Sequence, residues 1–596
     1  MGTEPESAAR AQPSPATDAA AALLAHLVGR GIRHVVLSPG SRSQALALVA
    51  AELERRGTIA LHVRIDERVA GFVALGIGRE TGMPAAVICT SGTATANLLP
   101  AVLEADHSGV PMVLLTADRP PELRGIGANQ TTRQHGIYGD HVRWQRDLAV
   151  PTEVDDTGSS AQAAALCAVA DEAMDAALGF ARDGAPGPVH LNLPYREPLS
   201  GTLPAWLASA ARRGSDVSSA AERGRAATEL RRRAGDVAPR RARPRAEVVL
   251  DRGPRTIVIA GAGAGPGAED LAYAGGWPLV AEIVSGARFG RHLVHGYRDL
   301  LREPELGGRV QRAVVFGHPT LSREVTALLQ RSGIEVLAVR GPGEALNLNG
   351  ATVPIDAATV ADGPADRDWL GQWLRASRAH AVDVAPRAPD ADGLSSAVPK
   401  VRLTALSAEV ELMRTPLTRE LLVDGVWRAT WPHDRLVFGS SRLVRVADGI
   451  LPGKKVPVHS NRGLAGIDGT IATAIGIAAA SQADGGAGLT RVLLGDLALL
   501  HDIGALLLSA AEPDLRIQII VGNDGGGTIF DGLEVGATAD AAAIDRVLYT
   551  PHEVAIEQLA AGYGWEYQRA TTRAELDQAL TGTAGDRRII EVPLPR

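Results

Sequence analysis

Leu494-Gly495-Asp496 reads as a strand ending in Gly-Asp, and 27 residues after Asp496 a second aliphatic run, Ile517 to Val521, leads into Asn523-Asp524-Gly525-Gly526-Gly527. A carboxylate and an amide oxygen at neighbouring strand ends are hard donors that suit Mg2+ or Mn2+, and the glycines let backbone groups approach a diphosphate. Gly-Asp alone usually just turns the chain; joined to Asn-x-Gly-Gly at this separation it is more specific. Glycine- and serine-rich segments also carry Arg42, Arg119, Arg323, Arg445 and Arg462. A single arginine commonly ends in a surface ion pair, but five in such loops point to a small polyanion gripped by planar guanidinium forks. A competing feature is Gly261-Ala-Gly-Ala-Gly-Pro-Gly267 with Glu282 further on, which imitates a dinucleotide-binding turn but has Pro266 where the third glycine belongs.

These residues need elements to hold them. His34–Leu37, Leu61–Val63, Ala85–Cys89 and Pro111–Thr116 are short apolar runs, separated by helical patterns at Gln44–Arg55, Arg68–Arg79 and Ala94–Glu104. The same rhythm returns at Thr256–Ala260, Ala313–Phe316 and Glu335–Val339, then at Leu436–Phe438, Arg491–Leu494, Arg516–Val521 and Arg588–Val592. Alternation of this kind predicts an α/β chain of three doubly wound parallel-sheet domains, which bind ligands at the carboxyl ends of their strands. The expected boundaries are 1–204, an Arg-rich linker over 205–252, a central domain over 253–384, a linker over 385–400 and a C-terminal domain over 401–596. Arg288, Arg291 and Arg298 in the central domain read as a solvated face or as an effector patch.

Composition narrows the class. With 61 basic against 68 acidic residues the net charge is −7, which argues against a nucleic-acid surface. Two cysteines, Cys89 and Cys167, exclude a disulfide framework and suit a reducing cytoplasm. Met1–Ala20 has no apolar core of a secretory signal, and the apolar stretch Val492–Ala511 is interrupted by Asp496, His501 and Asp502, so no membrane insertion is expected. His107, His135, His141, His190 and His501 show no zinc-site spacing and read as structural.

Gly495-Asp496 followed by Asn523 resembles the metal-diphosphate motif of thiamine-diphosphate-dependent enzymes, although Leu497 and Asp524 stand where that family often has Gly and Asn. Further segments are similar to the menaquinone-pathway members of the family: Leu37-Ser-Pro-Gly-Ser-Arg-Ser43, Cys89–Asn97, Leu115–Arg124, Gly127–Gln130, Gly187–Asn192, Asn461–Gly469, Gly495–Asp502 and Ile529-Phe530. The likeness is specific over most of residues 30–200 and 430–596 and patchy between them, where Gly317–Arg323 is the best segment. It implies thiamine diphosphate and Mg2+ (or Mn2+) as cofactors, with the metal on Asp496, Asn523 and the Gly525 carbonyl, and Gly495, Gly526 and Ile467 also at the cofactor. It implies that Glu67 shares a proton with the aminopyrimidine ring, a role that competes with simple helix-dipole stabilisation. It further implies a transferase that decarboxylates 2-oxoglutarate and adds the resulting succinyl-semialdehyde carbanion to isochorismate, giving 2-succinyl-5-enolpyruvyl-6-hydroxy-3-cyclohexene-1-carboxylate. The substrate residues carried over are Ser41, Arg42, Arg119, Gln130, Arg323, Ser441, Arg445 and Arg462, with Ile529, Phe530 and Leu533 as an apolar wall whose register Thr528 disturbs. Because Glu67 and the metal ligands belong to different domains, the resemblance implies a homodimer or homotetramer with active sites at the subunit interface. Another thiamine-diphosphate-dependent decarboxylase or carboligase, a nicotinamide enzyme using Gly261–Gly267, and a noncatalytic relative are the alternatives.

Overall fold

The computed structural model describes residues 14–153, 158–180, 184–207, 246–341, 343–384, 388–582 and 586–596. The chain forms two compact units, one of residues 1–242 with 507–513, the other of residues 243–506 with 514–596. Each sheet is parallel, as the alternation of apolar runs and helices predicts.

The first unit holds β1 (His34–Leu37), β2 (Ala60–Val63), β3 (Ala85–Cys89), β4 (Met112–Asp118), β5 (Trp144–Asp147) and β6 (Pro188–Pro194), in the order β2-β1-β3-β4-β6-β5. Every residue of β3, β4 and β6 is buried, the pattern of strands covered by helices on both faces. Gln44–Arg55 is helical as expected, whereas the helix expected over Ala94–Glu104 is divided into Thr93–Asn97 and Leu99–Ser108. Pro100 explains the division, because a proline fits a first turn but not a helix interior.

The second unit contains two large sheets and a two-stranded one. The central one runs β12-β11-β10-β8-β9, from β8 (Thr256–Ala260), β9 (Leu279–Ala281), β10 (Arg312–Phe316), β11 (Glu335–Val339) and β12 (Val353–Ile355). Beside it β7 (Glu247–Leu250) pairs with β13 (Ala357–Val360), so a strand forms within the last part of the segment expected to be linker, 205–252. The rest of that segment, 208–245 with its arginine clusters, lies outside the described residues. The second expected linker, 385–400, likewise contains structure: the helix Ala391–Ser395, capped by Asp390, and the start of the helix Pro399–Met413. Local capping and a first-turn proline favour these helices where apolar periodicity is weak.

The third sheet runs β15-β14-β16-β17-β19-β18, from β14 (Arg435–Phe438), β15 (Val458–His459), β16 (Thr490–Gly495), β17 (Ile517–Asn523), β18 (Glu566–Arg569) and β19 (Arg587–Pro593). The central and third sheets share a core, in which Ile283, Val284 and Leu321 pack with Leu422, Val444 and Leu451. A buried polar pin joins them. Asp448 accepts from the Ile283 amide at 2.8 Å, the Tyr297 hydroxyl at 2.6 Å and Arg298 at 2.6 Å, while its own carbonyl accepts from Arg288 at 3.0 Å. Arg288 and Arg298 are therefore spent on structure, and Arg291 lies over the Tyr273 ring. No helix among the described residues is long and apolar enough to cross a membrane.

In the first unit, Glu512 is 8% exposed and accepts from Arg64, by two nitrogens, and from the Val63 amide at 3.0 Å, with His62 at 3.4 Å. Burial alone would raise the carboxyl, but the bonds from His62 and Arg64 outweigh it and hold the pKa at about 2. Because this pKa is depressed, the stabilisation is present above the unfolded value near 4.5 and fades as pH falls toward 2. Glu512→Gln is expected to destabilise the first unit by about 3 kcal/mol at neutral pH, since it leaves Arg64 buried without its anion, and to flatten the acid limb below pH 4.5. Thermal unfolding followed between pH 7 and 2 checks both effects.

Candidate active site

The order of the first sheet reverses between β1 and β3, and that of the third between β14 and β16. Such switch points open a crevice at the carboxyl ends of the strands. The sequence-predicted residues collect at both.

In the third sheet Asp496 follows β16 as the first residue of the helix Asp496–His501, and it is 1% exposed. Its Oδ1 accepts from the Leu497 amide at 2.7 Å and its Oδ2 from the Gly526 amide at 2.8 Å, with His552 Nε2 3.1 Å away. Burial and the nearby Asp524 carboxylate raise its pKa, against the lowering by these amides and His552. No lysine or arginine pairs with Asp496 among the described residues. A buried carboxylate lacking a strong cationic partner is the donor that a divalent cation would satisfy.

Asn523 closes β17, the next strand, with its Oδ1 accepting from the Gly525 amide at 3.1 Å and its Nδ2 donating to Glu591 Oε1 at 2.7 Å. Gly525 and Gly526 have φ of +68° and +147°, and a Cβ on Gly526 would stand 2.4 Å from the Tyr549 carbonyl. Only glycine lets this loop turn back onto Asp496. The Gly525 carbonyl, the third expected metal donor, accepts from Arg596 at 2.9 Å. The oxygen donor set of Asp496 and Asn523 fits Mg2+, and the Gly525–Gly526 backbone fits a diphosphate beside it.

Asp524 and Thr528, two of the places where the chain departs from the pattern it resembles, are partners. Asp524 accepts from the Thr528 hydroxyl and from Arg419 at 2.6 Å, so the substituted acid and the extra threonine close a local network. Ile529 and Phe530 lie in the short turn Thr528–Gly532 and Leu533 follows it, all three half-buried. Ile467 is partly exposed before Gly469, which opens the helix Thr470–Ser481.

The arginines of this unit differ in what they are free to do. Arg462 is buried and donates to the Thr320 hydroxyl at 2.7 and 3.0 Å and to its carbonyl at 3.1 Å. Arg323 is exposed and pairs with Glu534 at 3.0 Å. Arg445 is half-buried; it donates to the Ser441 carbonyl at 2.8 Å, and burial, then Arg298, lower its pKa. Ser441 caps the start of the helix Arg442–Ile450.

In the first unit, Glu67 is the first residue of the helix Glu67–Thr81, half-buried, with Asp66 capping the helix. It stands close enough to Cys89 that burial and the Glu67 charge together push that thiol up to about 12. Arg42 and Arg119 are 7% and 8% exposed and converge on the end of β3. The Arg42 amide donates to the Thr90 hydroxyl at 3.2 Å and its guanidinium to the Tyr195 carbonyl at 3.1 Å, while Arg119 donates to the Asn129 carbonyl at 3.2 Å and to Ser91 Oγ at 3.4 Å. Neither makes an ion pair among the described residues, and Arg42 Nε is buried with no hydrogen-bond partner. Burial, then the neighbouring Arg119, lower the Arg42 pKa. Gln130, held at φ +53°, exchanges hydrogen bonds with Ser91 at 2.8 and 3.0 Å, and exposed Ser41 sits one residue before Arg42. Two buried cations side by side, one with an unpaired donor, form a site for an anion.

The dinucleotide-like turn has a structural use. A Cβ on Gly261 would lie 2.1 Å from Pro319 N, because Ala262 and His318 bridge their backbones there. Glu282 accepts from the Thr320 and Leu321 amides at 2.8 and 2.7 Å, which occupies the carboxylate that a ribose would need. Sequence reasoning missed His552, Arg419, Tyr567 and Glu591; the available signal was Glu591 itself, a carboxylate inside the apolar strand Ile589-Ile590-Glu591-Val592. His107 and His141, read from the sequence as structural, approach Asp106 as a metal site would, although Arg143 and His141 already share the two Asp106 oxygens. His190 is a buried structural histidine bonded to Thr116 at 2.7 Å, and burial lowers its pKa to about 3.

Residues 17–139 match the family described as thiamine pyrophosphate enzyme, N-terminal TPP binding domain. The chain is 54% identical to the 2-succinyl-5-enolpyruvyl-6-hydroxy-3-cyclohexene-1-carboxylate synthase of Leifsonia xyli subsp. xyli, over 98% of this chain and 97% of that one. Synthases of the same name from Clavibacter michiganensis subsp. michiganensis and Paenarthrobacter aurescens are 52% and 42% identical, over 100% and 96% of this chain and 99% and 92% of their own lengths. With Asp496, Asn523 and Glu67 in place and the likeness running end to end, the chain belongs to the family of 2-succinyl-5-enolpyruvyl-6-hydroxy-3-cyclohexene-1-carboxylate synthases, thiamine-diphosphate-dependent enzymes that form a C–C bond.

Proposed function

We propose that the protein decarboxylates 2-oxoglutarate and joins the remaining four-carbon unit to isochorismate in menaquinone biosynthesis, with a divalent metal holding thiamine diphosphate. The observation that carries this reading is buried Asp496 beside Asn523 at the switch point of the third sheet, with Gly526 N–H turned onto the same carboxylate. Thiamine diphosphate, when bound, would supply a thiazolium ring whose carbon adds to the oxo acid and whose cationic nitrogen accepts the electron pair released with CO2. Asp496, Asn523 and the Gly525 carbonyl would hold Mg2+ or Mn2+, with Arg596 giving up its bond to that carbonyl. Gly495, Gly526 and Ile467 would lie along the cofactor.

Glu67 would hold a proton at a ring nitrogen of the aminopyrimidine. Arg42 and Arg119, with Ser41 and Gln130 beside them, would grip a substrate carboxylate, because Arg42 keeps a buried nitrogen without a hydrogen-bond partner. Ser441, Arg445, Arg323 and Arg462 would act on the second-unit side, with Ile529, Phe530 and Leu533 excluding water. Arg462 would do so while bonded to Thr320, and Arg323 would first leave Glu534. A homodimer or homotetramer with active sites at subunit interfaces and a cytoplasmic location complete the reading; two free thiols, Cys89 and Cys167, suit a reducing compartment.

With thiamine diphosphate, Mg2+ and 2-oxoglutarate present, CO2 release and the fall in isochorismate absorbance are expected together. In Glu67→Gln both rates drop by about 10²–10⁴-fold. CO2 release without isochorismate consumption would instead mark a different decarboxylase or carboligase. Arg42→Lys and Arg119→Lys are each expected to lower kcat/KM by about 10–100-fold, the loss of a charge-assisted bond, mainly through KM for one of the two carboxylate substrates; steady-state kinetics varying each substrate in turn identify which.

A further inference from the structure

A metal held by an asparagine depends on which end of the amide faces it. Oxygen and NH2 differ little in size, and a flipped amide would present two N–H donors to a cation, so a neighbour must decide the orientation. Asn523 Nδ2 donates to Glu591 Oε1 at 2.7 Å, and the Tyr567 hydroxyl donates to the other oxygen, Oε2, at 2.5 Å. An ionised carboxylate only accepts, so it can pair with the nitrogen of Asn523 and not with its oxygen. The three residues stand on β17, β19 and β18, adjacent parallel strands in which Val521 pairs with Glu591 and Tyr567 with Ile589, so their spacing is set by backbone ladders rather than by a loop.

Glu591 has no other evident use. It interrupts the buried run Ile589, Ile590 and Val592, and it makes no ion pair among the described residues. Burial and its bond to Glu591 raise the Tyr567 phenol above its ordinary range, so the hydroxyl stays a donor at working pH. Placing a half-buried carboxylate at this spot costs desolvation, which the fold of the sheet alone does not require.

We propose that Glu591, steadied by Tyr567, is a positioning residue that fixes the Asn523 amide with its oxygen toward the metal. The inference rests on the metal reading of Asp496 and Asn523 given above. Outer partners of this kind commonly change metal affinity by about 10–100-fold when removed.

The test is a double-mutant cycle read by metal binding rather than turnover: Mn2+ titration of the full chain with thiamine diphosphate present, followed by electron paramagnetic resonance of free Mn2+. Glu591→Ala is expected to weaken Mn2+ binding about 10–100-fold in the natural background. In an Asn523→Asp background both side-chain atoms are oxygens and no orientation needs enforcing, so the same Glu591→Ala change should cause no loss, or a gain from removing a facing carboxylate. Tyr567→Phe should weaken binding by about 2–10-fold, and Glu591→Gln, which can still accept from Asn523, should recover most of the affinity lost in Glu591→Ala. Should Glu591→Ala fail to fold, Tyr567→Phe made in the natural and Asn523→Asp backgrounds carries the test. Equal losses from Glu591→Ala in both backgrounds, or wild-type binding in both Glu591→Ala and Tyr567→Phe, would overturn the proposal. Asp496→Ala separates the two layers: if it leaves Mn2+ binding intact, the metal reading itself falls, whereas its loss beside an unaffected Glu591→Ala removes only the brace.

Discussion

Parallel pairing fixes the relative height of neighbouring strands, and the third sheet depends on that register. Gly495 pairs with Gly522 and Val521 with Glu591, so β16, β17 and β19 reach the same edge together. Asp496 and Asn523 each emerge one residue beyond the Gly495–Gly522 pair, on strands that neighbour each other. A shift of one residue in β17 would turn Asn523 to the opposite face of the sheet. The buried ladder residues Val492, Ile519 and Ile590, each fully covered, make such a slip costly, because it would carry a row of aliphatic side chains out of the core.

The central sheet is built differently at the corresponding place. Its order also reverses, between β8 and β10, and a crevice is expected there on topology alone. The backbone fills it instead: Ala262 and His318 exchange hydrogen bonds at 2.9 and 3.0 Å, and Glu282 turns inward to the amides of Thr320 and Leu321. Burial raises the Glu282 pKa to about 8, helped by Asp448. Together with the Asp448 pin, this makes the central sheet a support packed on the third one.

Much of this was legible in the sequence. Long, two-sided apolar runs such as Ala85–Cys89 and Ile517–Val521 announce buried parallel strands because no other environment suits them. The short edge strands were not legible: Trp144–Asp147, Val458–His459 and Glu566–Arg569 have one neighbour and little apolar content, so their pairing is imposed by the strand beside them. At the candidate site the residues that emerge from strand ends, Asp496, Asn523, Arg42 and Arg119, could be found by type and spacing. Those that reach in from distant segments could not. His552 stands 56 positions from Asp496 and Glu591 stands 68 from Asn523, and only folding joins them.

The arginines show why residue type alone is an incomplete guide to an anion site. Arg323 sits in a segment that looks as suitable as those of Arg42 and Arg119, yet its guanidinium already pairs with Glu534. A guanidinium satisfied by its own chain must surrender a bond to take a carboxylate, so its net contribution is the difference between two similar interactions. Arg42 has a buried nitrogen with no partner; burial and then Arg119 lower its pKa, while Glu197 and Asp118 raise it. For Arg42 and Arg119 the protein has already met the cost of desolvating the charges, and an incoming carboxylate relieves both the unpaired donor and the repulsion between the two arginines. What the fold leaves unsatisfied around Ser91 is therefore a better guide to where an anion could sit than the number of arginines nearby.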